Sequence, residues 1–550
     1  MSEQDTSADP WSHIPEHLKV RYDDACVSIP NAVRVAARRF GDLEAVVDGQ
    51  LRLTFAELER HMVDSVRGVM ALGIRPGDRV AVWAPNSARW ILAALGILGA
   101  GGVLVPVNTR FKGQEAAYVL ERSGAAALVV VTDFLGQDPL GMLRNAAPDA
   151  DVLRTGRVVV ASGPAGEGEL GWEEFLAGGA AVPVEAAHAA IDAVTASTVS
   201  DIMFTSGTTG HPKGVVLTHG QSLRAYGWLA AVMDFRPGDR YLIVPPFFHT
   251  FGYKAGWMAC IVHGVAILPM AVFDVGRVLE TLDREKVSIL LGPPTIFQEV
   301  LDSPARPRFD LSPLRVTMSA ATMVSPTLFR RIWDELGPEV MVSCYGLTES
   351  TSLITTTIPG VDGFDEVVST VGRAAWGVEI GVLDAHGKEV PRGTPGELVC
   401  RGWNVMQGYW RDPERTAEAI DADGWLHTGD VGVMDVDGFV RITDRTKDMV
   451  IVGGFNVYPA EVERVLAEHP AVSAVAVVGM PDNRMGEVPV AFLVPRAGTM
   501  PDADQVITWA GDRLANFKVP RRVVLVEALP RNASMKVLKN ELRAAAQDLP

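Results

Sequence analysis

Cysteine is scarce in this chain of 550 residues, which contains four: Cys26, Cys260, Cys344 and Cys400. They show no paired spacing, so the sequence predicts neither a disulfide framework nor a thiolate metal site, and a reducing, cytoplasmic compartment fits. The chain also lacks an excess of positive charge, because its formal net charge is −17. Nucleic acids and anionic membranes require broad positive potential, so they are not expected as partners.

Long apolar runs are missing too. The first residues, MSEQDTSADPWSHIP, lack the basic and apolar regions of a signal peptide. The most apolar stretch, 91–107, is interrupted by glycines and Pro106 and is too short to cross a bilayer. A chain of this length exceeds what one core supports, so we expect a globular protein of at least two domains.

Strands and helices alternate in the first two thirds of the sequence. Thr54 to Glu57 form a capping box before a helix, and an apolar strand at 80–83, a helix at 87–98 and a strand at 103–107 follow. This alternation predicts parallel sheets covered on both faces. Residues 161–196, rich in Gly, Ala and Glu, are predicted to be a surface excursion.

The pattern of predicted strands and helices changes towards the C-terminus. From about residue 360 to 443, short strands with turn signals predict a small antiparallel β subdomain. Residues 444–550 read as an α+β unit that is long enough for its own core. Within it, residues 511–545 concentrate basic side chains, which are expected to form mainly a solvated face and to mark where a phosphate-bearing ligand could approach.

The stretch DIMFTSGTTGHPKG, residues 201–214, concentrates groups that bind phosphate. Glycines let backbone N–H groups approach a ligand, hydroxyls donate hydrogen bonds, and a lysine supplies charge. Two residues separate Gly210 from Lys213, so this is not the P-loop pattern. A polar surface turn is the alternative. The candidate phosphate ligands are Thr205, Ser206, Gly207, Thr208, Thr209, Gly210 and Lys213.

Two other motifs carry carboxylates. Tyr345 to Glu349 reads YGLTE and follows an apolar segment, and Asp430 ends the sequence WLHTGD. A glutamate beside phosphates could hold Mg²⁺, which keeps water and phosphate oxygens as its other ligands. A buried tyrosine with a helix cap, and an ordinary turn aspartate, are the alternatives from the residues alone.

Together with GELVCRG at 396–402, DRTKD at 444–448 and PRNASMK at 530–536, these motifs make six, and in their order they resemble those of the adenylate-forming enzymes. That family includes acyl-CoA synthetases, aryl-CoA ligases, beetle luciferases and peptide-synthetase adenylation domains. The resemblance spans nearly the whole chain. It implies an α/β fold with an N-terminal adenylation domain of stacked βαβ sheets at 1–443, which includes the β subdomain. A mobile α+β C-terminal domain at 444–550 would turn about a hinge at Lys447.

The same resemblance implies the reaction and its residues. Carboxylic acid and ATP give acyl-AMP, and coenzyme A then displaces AMP. Thr348 would contact the phosphates and Glu349 Mg²⁺, and Lys536 would bridge the substrate carboxylate and the α-phosphate. The nucleotide would be held by Tyr345, Gly346, Asp430 and Arg445 besides the phosphate loop, and coenzyme A would pass Gly453 and Gly454.

The acyl pocket is expected around the aromatic segment PPFFHTFGYKAG. Its predicted wall consists of His249, Phe251, Tyr253, Gly292, Pro293, Ala320 and Ala321, and a core role for His249 is the alternative. This segment and LGPPTIFQ resemble actinobacterial CoA ligases of steroid catabolism that act on an indane-dione propanoate. A bulky, mostly apolar acid is therefore expected, with a medium-chain fatty acid or an aryl acid as alternatives. A luciferase-like oxygenase and a nucleotide-binding protein with impaired adenylation stay open, as does a homodimer.

One departure from the pattern concerns Met535, which stands where the family has glycine before the C-terminal lysine. If the backbone there needs a positive φ, a side chain would cost about 1–2 kcal/mol and displace Lys536. We therefore expect an altered lysine loop and a slower first half-reaction.

Overall fold

We describe a computed structural model of the chain, covering residues 11–22, 26–205, 212–320, 324, 326–384, 386–445, 450–457, 459–496, 498–530, 537 and 539–549. The described residues form five sheets. None of the helices in these ranges combines the length and apolar composition that a bilayer crossing requires. All four cysteines are free thiols.

Two large sheets, mainly parallel, make up the bulk of the N-terminal part. In spatial order the first contains the strands Val340–Val342, Val316–Ser319, Ile289–Gly292, Arg240–Ile243, Ala266–Pro269, Glu44–Asp48 and Leu51–Thr54. The second contains Gly408–Tyr409, Lys213–Thr218, Val199–Thr205, Val103–Pro106, Arg79–Trp83, Ala125–Val131, Val158–Ser162 and Leu170–Gly171. Antiparallel pairing occurs only at one end of each sheet in these described strands. The predicted α/β architecture is confirmed.

Helices cover both sheets because their apolar stripes must be buried. The helix Phe55–Ala71 begins with the predicted capping box, since Glu57 N donates to Thr54 Oγ1 at 3.2 Å and Thr54 N to the Glu57 carboxylate at 3.0 Å. The other α-helices of this part are Ile29–Phe40, Ala88–Gly99, Gly113–Ser123, Pro139–Ala146, Asp151–Arg154, Trp172–Gly178, Val184–Ala193, His219–Val232, Thr250–Gly252, Ala259–His263, Val275–Arg284, Pro294–Asp302, Pro326–Leu336, Phe364–Ser369 and Pro413–Ala419.

The stretch 161–196, expected to be a surface excursion, lies largely at the surface, but it is folded. This stretch contains two helices, Trp172–Gly178 and Val184–Ala193, and an edge strand of the second sheet. Phe175 and Ile191 are buried, and the Phe175 ring packs so closely on Gly68 that a Cβ there would lie 2.6 Å from it. Gly179 of this stretch also packs on the helix Phe55–Ala71, where a Cβ would lie 2.7 Å from Gly68 N.

A smaller antiparallel sheet follows, as predicted from the short strands. Its strands are Val378–Leu383, Gly396–Gly402, Leu426–Met434 and Val440–Arg445. A three-stranded sheet, Cys344–Tyr345, Thr355–Thr356 and Arg373–Ala374, precedes it along the chain.

A separate C-terminal domain is built on a five-stranded sheet. Its strands are Phe455–Val457, Val450–Val452, Gly486–Pro495, Val472–Asp482 and Arg522–Leu525. The helices Pro459–Ala467, Ala503–Gly511 and Lys539–Gln547 pack with it. The predicted hinge, Lys447, lies outside the described residues.

A buried ion pair ties together three elements of the N-terminal part. Lys254 and Asp201 are both fully buried, with Nζ 2.9 Å from the carboxylate, and Nζ also donates to Ser222 Oγ at 2.8 Å. Burial lowers the pKa of Lys254, and the Asp201 carboxylate opposes that shift. The pair therefore connects the strand Val199–Thr205, the helix His219–Val232 and the aromatic segment.

Candidate active site

One cavity of about 390 Å³ lies where these elements meet the C-terminal domain. Thr205 and Ser319, each at the C-terminal end of its strand, contribute to its lining, which is the usual position of a ligand site on parallel sheets. The predicted site residues that line it are Thr205, His249, Phe251, Ala320, Tyr345, Gly346, Thr348, Glu349, Asp430 and Gly454.

The segment 345–352 is held in an unusual conformation at this cavity. A Cβ on Gly346 would lie 2.2 Å from the carbonyl carbon of Ser352, so only glycine fits. Thr351 and Ser352 have φ values of 52° and 58°. This left-handed region costs a residue with a side chain about 1–2 kcal/mol. Thr351 Oγ1 offsets part of the cost by donating to the Asn404 carbonyl at 2.7 Å.

Tyr345 and Asp430, which are far apart in sequence, meet in the cavity wall. The Tyr345 hydroxyl donates to Asp430 Oδ2 at 2.8 Å. Burial and the Asp430 charge raise the pKa of Tyr345 far above its usual value, so the phenol keeps its proton. Glu397 fixes the turn before Asp430 by accepting from Gly429 N at 3.0 Å and contacting His427 Nδ1 at 3.0 Å.

Arg445, the other predicted ribose ligand, stands opposite Asp430 in the strand register. Its side chain lies outside the described part of the structure. The pairing brings the two backbones together, as a shared ligand would require.

Glu349 and Lys213 are connected through Tyr409. The Tyr409 hydroxyl donates to Glu349 Oε1 at 2.9 Å, and Lys213 Nζ lies 4.7 Å from the centre of the Tyr409 ring. Lys213 pairs with Thr205 in the strand register but is not among the described residues lining the cavity. The predicted phosphate ligands Ser206, Gly207, Thr208, Thr209 and Gly210 lie outside the described residues.

His249 faces the cavity as a neutral ring. Its Nδ1 accepts from Phe251 N at 3.2 Å, which places the ring proton on Nε2. The ring is exposed to the cavity but enclosed by protein, and this desolvation lowers the pKa of His249 to about 4. Nε2–H is therefore a permanent donor near neutral pH.

This neutrality predicts a flat pH response. Because the folded-state pKa is about 4, His249 should not change charge between pH 5.5 and 8. The ratio of kcat/KM between the wild type and His249→Gln is expected to stay constant within about twofold over that range. A ratio that changes about tenfold around pH 6.5 would contradict a neutral His249.

Three predicted pocket residues do not line the cavity. Tyr253 is fully buried and stacks on Trp257 at 4.9 Å between ring centres, so it belongs to the aromatic core behind the wall. Gly292 packs on Ile296, and Pro293 faces Gly454. Ala321 lies outside the described residues. Tyr253 is the first residue of a π-helix, Tyr253–Met258, a form that hydrophobic periodicity does not predict.

The two glycines predicted to face coenzyme A lie at a tight turn of the C-terminal domain. Gly453 and Gly454 have φ values of 57° and 84°. A Cβ on Gly454 would lie 3.1 Å from Pro293 Cβ, and Gly454 lines the cavity beside Phe455. Glycine therefore lets the C-terminal domain approach the N-terminal part closely at this point.

A buried ionic cluster joins the two parts next to this turn. Lys518 is 1% exposed, and its Nζ lies 2.6 Å from Glu461 and 3.0 Å from Glu115. Glu461 belongs to the C-terminal domain, whereas Glu115 lies on the helix Gly113–Ser123 of the N-terminal part. Burial alone would lower the pKa of Lys518, but the two carboxylates raise it overall, so the ammonium group stays charged.

Sequence reasoning missed this cluster. Lys518 was grouped with the basic residues of 511–545 and expected on a solvated face, but the structure buries it against Phe111 with Nζ 4.5 Å from the ring centre. The apolar residues on either side of it, Phe517 and Val519, could have indicated that this segment is buried. Lys536, the predicted catalytic lysine, lies outside the described residues.

Known proteins resemble this chain over nearly its whole length. Residues 33–410 match the AMP-binding enzyme family, and residues 461–536 match the AMP-binding enzyme C-terminal domain. A 3-[(3aS,4S,7aS)-7a-methyl-1,5-dioxo-octahydro-1H-inden-4-yl]propanoyl:CoA ligase of Rhodococcus jostii is 48% identical over 94% of this chain and 98% of the relative. The ligase of the same name from Mycobacterium tuberculosis is 46% identical, with the same coverage.

A solved structure of another protein is also similar to this chain over nearly its whole length. The amide bond synthetase McbA from Marinactinospora thermotolerans superimposes with a TM-score of 0.80 at 30% identity, covering 94% of this chain and all of that one. The chain belongs to the AMP-binding enzyme family. Within it the protein is an acyl-CoA synthetase, an acid–thiol ligase, as the sequence predicted.

Proposed function

We propose that the protein, in the cytoplasm, converts a bulky alicyclic carboxylic acid, ATP and coenzyme A into acyl-CoA, AMP and pyrophosphate through an acyl-adenylate. One observation carries the proposal: a single cavity is lined by Asp430 and Thr348 on one side, by His249 on another and by Gly454 of the C-terminal domain. Within one space, these residues would bind a nucleotide, contact the acid and let pantetheine pass.

In the first step a carboxylate oxygen attacks the α-phosphorus of ATP, and pyrophosphate leaves. Asp430 would accept the ribose hydroxyls, and Tyr345 would hold that carboxylate in place while its ring contacts adenine. Thr348 and the loop after Thr205 would donate to the phosphates. Lys536 would neutralise the charge that builds up where the two anions meet.

Glu349 would hold Mg²⁺ in this step. The residue fits the ion because its carboxylate lines the cavity and Tyr409 fixes one of its oxygens. No group of three or more candidate metal ligands occurs among the described residues, and Mg²⁺ bound to a nucleotide needs few protein carboxylates. When bound, the ion would neutralise phosphate charge.

In the second step the thiol of coenzyme A attacks the acyl carbon, loses its proton to solvent, and AMP leaves. Pantetheine would pass Gly454, where a side chain would meet Pro293. The predicted boundary at 443/444 falls inside the strand Val440–Arg445, so we propose that the domains divide just after this strand and turn about Lys447 between the steps. The arrangement with Gly454 at the cavity would then be the one that forms the thioester.

The choice of acid rests on the substrates named for the two relatives and on the residues that line the cavity. Both relatives are named as ligases of a propanoyl group carried on a fused bicyclic diketone. Leu229, Phe251, Ala255 and Met203 give the acyl part of the cavity a mostly apolar wall. A compact ring system therefore suits it.

A panel of acids tests the proposal. Pyrophosphate exchange, followed by detection of the CoA thioester, is measured with an alicyclic keto-propanoic acid, a medium-chain fatty acid and an aryl acid. We expect the first to have the highest kcat/KM and to give one AMP per thioester. A higher kcat/KM for the fatty or aryl acid would refute the substrate assignment, and exchange without thioester would refute the ligase.

A further inference from the structure

The buried ion pair of Lys254 and Asp201 takes part in neither step of the proposed reaction. Both side chains are completely buried, and Lys254 Nζ lies 2.9 Å from Asp201 Oδ1 and donates to Ser222 Oγ at 2.8 Å. The other carboxylate oxygen, Asp201 Oδ2, accepts from Ser200 Oγ at 2.6 Å. Lys254, Asp201 and Ser222 are called the ionic triad below, and each of them belongs to a different element of the fold.

Asp201 lies directly behind the cavity wall on its strand. Side chains alternate between the two faces of a strand, so Asp201 shares one face of Val199–Thr205 with Met203 and Thr205. Both of these residues line the cavity. The carboxylate therefore stands one step along the same face from the wall.

The other two members of the triad have the same relation to the wall. On the helix His219–Val232, Ser222 precedes Tyr226 by four positions and Leu229 by seven, so the three share a face, and the last two line the cavity. Lys254 stands between Phe251 and Ala255, which line the cavity as well. The triad thus ties together, from behind, the three elements that supply the acyl wall.

Stability alone does not account for a charged group at this position. Two charges lose their hydration on burial, and well-packed apolar residues in their place are often neutral or stabilising. An ammonium group, however, has to keep both of its acceptors within hydrogen-bond distance. The triad therefore fixes the spacing between strand, helix and aromatic segment more narrowly than apolar contacts would.

The segment that carries Lys254 needs such an attachment because its backbone is irregular. Lys254 lies in the π-helix Tyr253–Met258, where Gly256 departs from helical geometry with φ −90° and ψ −112°. Helical turns of this kind are rare and are frequent at functional sites. The lysine holds this turn against the strand that carries Asp201.

We propose that the ionic triad sets the width of the acyl cavity and so determines which shapes of acid the enzyme accepts. This inference rests on the proposed ligase function and places a determinant of its specificity outside the cavity wall. Lys254 is a positioning residue, because it acts on the acid only through the elements it holds. At the fixed width, a compact ring contacts all three elements, whereas a linear chain of the same carbon number does not.

The test compares 3-cyclohexylpropanoate with nonanoate, which have equal carbon number. We expect the wild type to prefer the cyclic acid by about tenfold in kcat/KM, the order of discrimination that an apolar pocket achieves. Lys254→Met combined with Asp201→Asn, the neutral variant, removes both charges at similar volume. Its preference should fall to about twofold or less through the KM for the acids, with the KM for ATP within about threefold of the wild type. A ratio of two acids does not depend on the folded fraction, so a merely structural loss would leave it unchanged.

Arg315→Met combined with Asp239→Asn is the matched control. Arg315 and Asp239 also form a shielded ion pair, with side chains 11% and 8% exposed. They directly precede the strands Val316–Ser319 and Arg240–Ile243, whereas the cavity lies at the carboxyl ends of the strands. The preference of this variant should stay within about twofold of the wild type.

The outcomes separate the inference from the function beneath it. Equal kcat/KM for the two acids in the wild type, or an unchanged preference in the folded neutral variant, would overturn the inference and leave the ligase intact. A wild-type preference for nonanoate would overturn the proposed substrate class, and turnover of neither acid would overturn both. If thermal unfolding shows that the neutral variant does not fold, Ser222→Ala decides, because it removes one acceptor of Lys254 and keeps both charges. It should lower the preference about threefold, and no change would overturn the inference.

Discussion

Replacing Lys536 with alanine is expected to slow acyl-adenylate formation about 100- to 1,000-fold, the usual effect of removing one group that stabilises transition-state charge. The ammonium group would act only where the carboxylate meets the α-phosphate. Thioester formation from synthetic acyl-AMP and coenzyme A should therefore stay within about threefold of the wild type. Pyrophosphate release and thioester formation, measured separately, give the two rates.

Lys539→Ala is the matched control, because it removes the same charge three residues away. Lys539 pairs with Glu463 at 2.7 Å inside the C-terminal domain, so its loss should not separate the two half-reactions. If Lys539→Ala slows adenylation as much as Lys536→Ala does, the assignment of Lys536 is wrong. Met535→Gly adds a second check, since a faster first half-reaction would confirm that the methionine displaces the lysine loop.

Much of the fold was predictable because its signals are local. The capping box at Thr54 and the strand Arg79–Trp83 follow from hydrophobic period and cap chemistry within a few residues. The two helices within 161–196 were not predictable, because glycine and alanine are typical of loops and also of tightly packed helices. The contacts of Phe175 and Gly179 with Gly68 hold these helices in place, and they join residues far apart in sequence.

The site was predictable where a motif carries its own chemistry and not where function depends on tertiary contact. Tyr345, Glu349 and Asp430, which their motifs nominate, line one cavity, and their roles there stay predictions. Tyr226 had no such signal, because a tyrosine on an apolar helix reads as core. It lines the same cavity as Ser352 only because the tertiary fold brings these two distant segments together.

Replacing Lys518 with methionine is expected to have the opposite effect to Lys536→Ala. In the arrangement described here, the lysine neutralises two carboxylates, the buried Glu461 and the half-buried Glu115, one from each side of the domain interface. Removing one partner of a buried ionic group costs about 3–5 kcal/mol, which corresponds to about a hundredfold or more in a conformational equilibrium. Thioester formation from synthetic acyl-AMP should fall by that factor, while pyrophosphate exchange should stay within about threefold.

Lys286→Met is the control for this variant. Lys286 also contacts two carboxylates, Asp283 at 2.9 Å and Asp310 at 3.2 Å, but its side chain is 55% exposed. Solvent screens exposed pairs of this kind so strongly that they contribute little, and neither half-reaction should change. Equal losses in both half-reactions for Lys518→Met would mean that the cluster stabilises the C-terminal domain itself and not its position.

Glu115→Gln distinguishes these roles further, because Glu115 is the only one of the three charges in the cluster that belongs to the N-terminal part. It leaves the contact between Lys518 and Glu461 inside the C-terminal domain. We expect the rate of thioester formation to fall less than in Lys518→Met, and the rate of adenylation to stay unchanged. If the interdomain contact is what matters, Glu115→Gln should add little to Lys518→Met, since residues in one network are not additive. Full additivity would show that the two residues act independently, and the cluster could then not be what holds the C-terminal domain in its thioester-forming position.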